Sequence, residues 1–168
     1  MPQYSEDYTF YTEFDDGERL YVDGNLVINN WVDGGGEFTA PSTVPLEAGK
    51  LVPIVVEHYE NTGNQAMARL RWSSPSVPKA IVPENRLRPV TPGDSSSSGF
   101  WGVYYDFYNG TNYGNHVITR TDPRISFNWS GGRPHPDIQE DNFYVQWFAI
   151  LVPPETATYT FHSYADDG

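Results

Sequence analysis

The sequence predicts an all-β fold rich in turns. Three observations carry this expectation. Apolar residues recur at every second position in stretch after stretch, 15 Gly and 14 Pro punctuate those stretches, and aromatic residues make up 15% of the chain, led by 12 Tyr. No run of ten or more residues shows helical periodicity.

Tyr8, Phe10 and Phe14 place one buried face on a first strand, which Asp15-Asp16-Gly17 ends. Residues 18–22 alternate into Asp23-Gly24, a type I′ turn dipeptide, and Asn25 to Trp31 return as the second arm of a hairpin. Asp33-Gly34-Gly35-Gly36 reads as a flexible loop, and Leu46 to Gly49 as a turn. The long run from Leu51 to Tyr59 is a strand in which Pro53 removes a ladder donor, which implies an edge strand or a position whose missing amide faces outward.

Glu60-Asn61-Thr62-Gly63-Asn64 is an oxygen-rich loop. Ala66, Ala68, Leu70 and Trp72 then alternate with Met67, Arg69 and Arg71, giving a strand with a basic outer face. Ser73 to Pro78 break it, and Val90 to Gly99 have the composition of a flexible linker. Beyond the linker, 100–105 and 125–129 read as strands around Arg120-Thr121-Asp122-Pro123, with Arg120 and Asp122 as a structural pair at a turn. Residues 130–136 form a loop, and Phe143, Val145, Trp147 and Ala149 alternate through a further strand. Pro153-Pro154 turn the chain towards a last strand at 158–164.

A chain of 168 residues can bury about 70% of its unfolded surface in one core. A formal charge of −12 and a pI near 4.5 argue against nucleic acid and against anionic membrane surfaces, because both require Lys/Arg patches, and no membrane insertion is expected. Cations and neutral ligands fit better. The absence of cysteine excludes thiolate metal sites, disulfides and a Cys nucleophile. No apolar run approaches the ~20 residues of a membrane helix, and no signal pattern opens the chain, so any export signal is expected outside it.

One feature is duplicated. Tyr8-Thr9-Phe10 followed by Asp15-Asp16-Gly17 returns as Tyr159-Thr160-Phe161 followed by Asp166-Asp167-Gly168, with the same gap. The flanks differ, so this is no simple tandem repeat. Placing 99–168 ahead of 8–89 produces one complete unit with a shared strand present twice. In that order the chain resembles the anthrax protective-antigen-type domain, the lectin module of yeast flocculins, bacterial adhesins and some glycosidases. The resemblance rests on Gly102-Val103-Tyr104-Tyr105, Arg120 to Ile125 with Phe127 and Trp129, Phe143 to Trp147, either Tyr-Thr-Phe copy with its Asp-Asp-Gly, and Arg19 to Gly24. Asn30-Trp31, Leu46 to Gly49, Glu57-His58-Tyr59 and Ala68 to Trp72 complete it.

The resemblance implies an antiparallel β-sandwich in permuted order. Residues 1–89 would form the C-terminal portion of a unit, 90–99 the linker and 100–168 the N-terminal portion. An array cut at two places explains linker and duplication together better than a deliberate permutation does. Adjacent carboxylates on an extended chain point to opposite faces, and a cis peptide between them would turn both to one side. Calcium takes six to eight oxygens and leaves places for two neighbouring sugar hydroxyls. The lectin members of the family use a cis Asp-Asp pair and an asparagine from a second loop. By resemblance the calcium ligands are Asp15 and Asp16, or Asp166 and Asp167, with Asn61, and the sugar contacts are Asp15, Asp16, Glu60, Asn61, Thr62 and Asn64.

His58, His116, His135 and His162 have no metal-ligand spacing and read as surface or strand histidines. No Gly-x-Ser-x-Gly elbow, phosphate loop or distinguishable carboxylate pair points to an enzyme. The expected function is therefore a calcium-dependent carbohydrate-binding or adhesion module of an extracellular protein, with a glycan or polysaccharide as partner. The competing expectation is an assembly module, in which 99–168 of one molecule is completed by 1–89 of the next. Ten linker residues span up to ~33 Å, so closure within one chain is equally feasible.

Overall fold

The computed structural model describes residues 3–61, 66–89, 98–106, 114–151 and 155–162. Fourteen strands appear among them: β1 (Gln3–Asp15), β2 (Glu18–Val22), β3 (Asn25–Asn30), β4 (Gly36–Thr39), β5 (Val44–Leu46), β6 (Val52–Glu60) and β7 (Met67–Ser74), then β8 (Val77–Ile81), β9 (Leu87–Pro89), β10 (Phe100–Tyr105), β11 (His116–Asp122), β12 (Ser126–Asn128), β13 (Phe143–Leu151) and β14 (Glu155–His162). A single 3-10 turn at Glu84–Arg86 interrupts them. Among the described residues no helix is long and apolar enough to cross a membrane. The all-β expectation holds.

The strands form two seven-stranded sheets. In one, β1 lies between β7 on one side and β5 and β4 on the other, with β12 beyond β7. In the other the order is β11-β10-β13-β6-β2-β3, with β9 against the end of β13. Pairing between neighbouring strands is antiparallel, while β14 follows β1 in the same direction and in the same place, with the Tyr8 and Tyr159 rings superposed. The central pair of the second sheet joins residues far apart in sequence: β6 and β13 are in register from Val52↔Leu151 to Glu60↔Phe143.

Alternation explains the packing between the sheets. Phe10, Phe14, Ala68, Leu70 and Trp72 from one sheet meet Leu20, Ile54, Val56, Val145 and Trp147 from the other in one continuous buried cluster. Truncating Trp72 or Trp147, both buried, would cost about 3–5 kcal/mol on the usual scale for core aromatics. Asp23 and Gly24 adopt φ of 50° and 77°, as the type I′ turn requires.

Several local expectations need correction. β6 is an interior strand, flanked by β2 and β13. Pro53 is tolerated because the ladder to β2 ends at Val22↔Ile54, and the Pro53 carbonyl instead accepts the Asp23 amide of the turn at 2.9 Å. β4 starts at Gly36, inside the stretch read as a flexible loop, and β5, β8 and β11 are strands that alternation did not single out. The outward face of β7 is basic but neutralised: Arg69 and Arg71 each reach Glu13 at 2.6 Å, and Arg71 also reaches Glu37. Of the linker expected at 90–99, only Ser98 and Gly99 fall within the described residues.

Arg120 and Asp122 do form a structural pair, within a larger buried network. Asp122 Oδ2 accepts Trp147 Nε1 at 2.7 Å and the Tyr104 hydroxyl, while Oδ1 accepts Arg120 Nε at 2.7 Å. Gly102 makes room for it, since a Cβ there would stand 2.7 Å from Asp122 Oδ2.

Candidate functional site

The site is built where β1 and β6 end on the same edge of the sandwich. β1 delivers Asp15 and β6 delivers Glu60, each at its last residue, and the chain continues directly into Asp16 and Asn61. The Asp15–Asp16 peptide is cis. Asp15, Asp16 and Glu60 are all buried, and one carboxylate oxygen from each lies within 4.8 Å of the other two.

Backbone contacts hold these groups in place. The Asp16 amide donates to the Tyr59 carbonyl at 3.1 Å, and the Tyr59 amide donates to the Gly17 carbonyl at 3.0 Å, which locks the Asp-Asp-Gly corner onto the end of β6. Gly17 is required by close approach: a Cβ there would lie 2.1 Å from Tyr59 Cε1. Asp16 Oδ1 accepts the Gly34 amide at 2.9 Å, and Oδ2 accepts the Asn61 amide at 2.6 Å. The Asn61 carbonyl accepts the Asn142 amide at 2.8 Å. Four chain segments thus converge on one corner.

A residue that sequence reasoning missed completes the arrangement. Asp33, in the connection from β3 to β4, accepts the Tyr59 hydroxyl on Oδ1 at 2.8 Å and Asn61 Nδ2 on Oδ2 at 2.9 Å. With its amide nitrogen so engaged, Asn61 has its side-chain carbonyl oxygen to offer a ligand. The only sequence signal for Asp33 was an acidic residue opening a glycine run, which also describes an ordinary turn.

Aromatic side chains flank this corner. The Trp31 ring is edge-on to Tyr59 at 4.8 Å and to Tyr144 at 6.2 Å, Tyr105 lies 5.5 Å from Tyr144, and the Arg19 guanidinium sits 4.0 Å over Trp31. Trp31 and Tyr105 are half-buried, so their rings retain open surface.

Two titratable neighbours are shifted strongly. Burial pushes the Glu18 carboxyl up to about 8, against the pull of hydrogen bonds from Asn30 and Thr12. Burial pushes His58 down to about 3. His58 is a fully buried core residue between Trp129 and Trp147, close to the Gly17 backbone. His116 is exposed beside Thr119, and His135 lies near Asp137.

Of the residues expected at the site, Asp15, Asp16, Glu60 and Asn61 come together. Thr62, Asn64, Asp166 and Asp167 lie outside the described residues. A groove of about 410 Å³ lies at the opposite end of β2, with Val22, Leu26, Val27, Val44, Leu46 and Leu51 in its lining, and includes none of the expected residues.

Fold and corner together define a β-sandwich with a buried, oxygen-only donor cluster on one edge, the donor chemistry of a hard cation such as calcium. The chain belongs to the PA14 domain family, whose model matches residues 2–86 and 96–168. It is 36% identical over 167 residues to the anti-sigma-I factor RsgI3 of Acetivibrio thermocellus, a match that takes in 99% of this chain and 26% of that protein. It therefore spans about a quarter of that curated relative. A solved structure of an anti-sigma factor domain-containing protein superposes with a TM-score of 0.51 at 25% identity, over 94% of this chain and 74% of the other.

Proposed function

We propose that this chain is a calcium-dependent carbohydrate-binding module of an extracellular protein. The observation that carries the reading is the convergence of three buried carboxylates, Asp15, Asp16 and Glu60, within 4.8 Å of one another. Like charges at such a spacing repel by on the order of 3 kcal/mol per pair at an effective dielectric of about 20, and a divalent cation reverses the sign of that energy. Asn61 would add an amide oxygen, and calcium tolerates the irregular geometry and keeps coordination places open for sugar hydroxyls. The half-buried Trp31 and Tyr105 beside the corner offer apolar ring surface on which a sugar can stack.

The anti-sigma names of the relatives add a context. In a longer chain of that kind, glycan binding at this module would serve sensing as readily as adhesion. The test is calorimetric titration with calcium followed by a glycan array with and without chelator. Absence of any glycan that binds with calcium and is released on chelation rejects the reading.

A second reading is favoured by a separate observation. β14 and β1 take the same neighbours, β5 and β7, so one strand of the pair is surplus to a single sandwich. Such a chain can join others by strand or half-domain complementation, a head-to-tail contact that need not close. Light scattering over a hundredfold concentration range tests it, and a strict monomer throughout rules it out.

A further inference from the structure

β1 and β14 compete for one position, and the neighbours are matched residue for residue. Tyr8 and Tyr159 both stand opposite Val44, Thr9 and Thr160 opposite Ser73, and Phe10 and Phe161 opposite Trp72. Both tyrosine hydroxyls donate to the Tyr4 carbonyl, at 3.4 and 3.3 Å, and both rings lie against Trp72. A place between β5 and β7 holds one strand at a time, because each backbone group of β7 on that side has one ladder partner.

The two copies agree at Tyr-Thr-Phe and again at Asp-Asp-Gly and differ in between. Aligned on Tyr8 and Tyr159, Glu13 corresponds to Tyr164 and Phe14 to Ala165. The position has specific chemistry at those two places. Glu13 is buried, with its Oε1 at 2.6 Å from Arg69 and its Oε2 at 2.6 Å from Arg71. Phe14 is fully buried with its ring 5.0 Å from that of His58. A tyrosine at the first place would leave both guanidiniums without the carboxylate they meet there, and an alanine at the second would leave a void in the core.

We infer that Arg69 and Arg71 select the strand that carries Glu13, so that β1 holds this position and the second copy is kept out of it. Strand identity is then set by charge and volume at two positions, while the shared Tyr-Thr-Phe sets register. The inference rests on neither the carbohydrate reading nor the complementation reading.

The chain has no cysteine, so strand occupancy can be read by engineered disulfides in the full chain. Thr9→Cys with Ser73→Cys reports β1 in place, and Thr160→Cys with Ser73→Cys reports β14 in the equivalent geometry. Under mild oxidation the first pair is expected to close within the monomer at least tenfold faster than the second. Exchanging Glu13→Tyr, Phe14→Ala, Tyr164→Glu and Ala165→Phe should invert that ratio. Arg69→Met with Arg71→Met, which leaves both strands untouched, should lower the ratio without inverting it, because Phe14 still fills the space that an alanine would leave empty. Equal closure in the parent chain, faster closure of the Thr160 pair, or a ratio unmoved by the arginine substitutions overturns the inference.

Discussion

Asn61 Nδ2 donates to Asp33 Oδ2 across 2.9 Å, joining a loop that follows β6 to the connection between β3 and β4. This contact turns a flexible amide into an oriented one, and Tyr59 holds Asp33 from the other side. Residues that orient ligands without binding the ion are commonly worth 10–100-fold in metal affinity. Asp33→Ala is therefore expected to weaken calcium binding by about 10-fold or more by calorimetry. Its thermal midpoint in chelator should stay near that of the parent, while the gain on adding calcium shrinks. An equal loss of stability with and without calcium would mark Asp33 as merely structural.

Direct removal of a proposed ligand should act more severely. Asp16→Asn keeps the shape of the side chain but removes its charge, and the expected result is loss of measurable calcium binding together with all chelator-sensitive glycan binding. Retained calcium affinity would place the ion elsewhere.

Gly17 tests the corner itself. A methyl group there meets the Tyr59 ring at 2.1 Å, so Gly17→Ala should lower stability by about 1–3 kcal/mol, the usual cost of overpacking. Gly131→Ala, where a Cβ meets nothing within 4 Å, is the control and should stay within about 0.5 kcal/mol. Urea midpoints distinguish the two.

The shifted groups predict an opposed pH dependence. Glu18, raised from 4.5 to about 8 in the folded chain, holds a proton that the unfolded chain has lost, so its contribution to stability falls as pH rises from about 4.5 to 8. His58, lowered from 6.5 to about 3, is neutral when folded and charged when unfolded, so its contribution is lost as pH falls from about 6.5 towards 3. Between pH 6.5 and 8 the Glu18 slope acts without opposition from His58. Denaturation in chelator should show parent stability declining over that window relative to Glu18→Gln, by up to about 1.4 kcal/mol per pH unit. Parallel curves for the two proteins would refute the assignment.

The Asp122 network offers a test remote from the corner. Asp122→Asn removes the charge facing Arg120 and presents an amide donor to the Trp147 and Tyr104 donors, a change expected to cost about 3 kcal/mol. Calcium affinity should be unaffected in whatever fraction remains folded.

The sequence by itself determined the strand faces, the hairpin turn at Asp23-Gly24, the Asp-Asp-Gly corner and the duplication, because alternation, turn chemistry and repetition are local properties of the chain. It missed β4, β5, β8 and β11, most of them short or proline-containing and placed where alternation is weak. Glu60 and Asn61 were legible as oxygens in a loop, but their place beside Asp15 and Asp16 depends on β1 and β6 ending on one edge of the sandwich, 45 residues apart. Asp33 had no sequence signal beyond a turn, since its role exists only through contacts with Tyr59 and Asn61. The sequence alone left open which of the two Asp-Asp copies forms the site. Only the tertiary structure separates them, because the arginine pair of β7 and the space beside His58 distinguish Glu13 and Phe14 from Tyr164 and Ala165 once the strand is set between its neighbours.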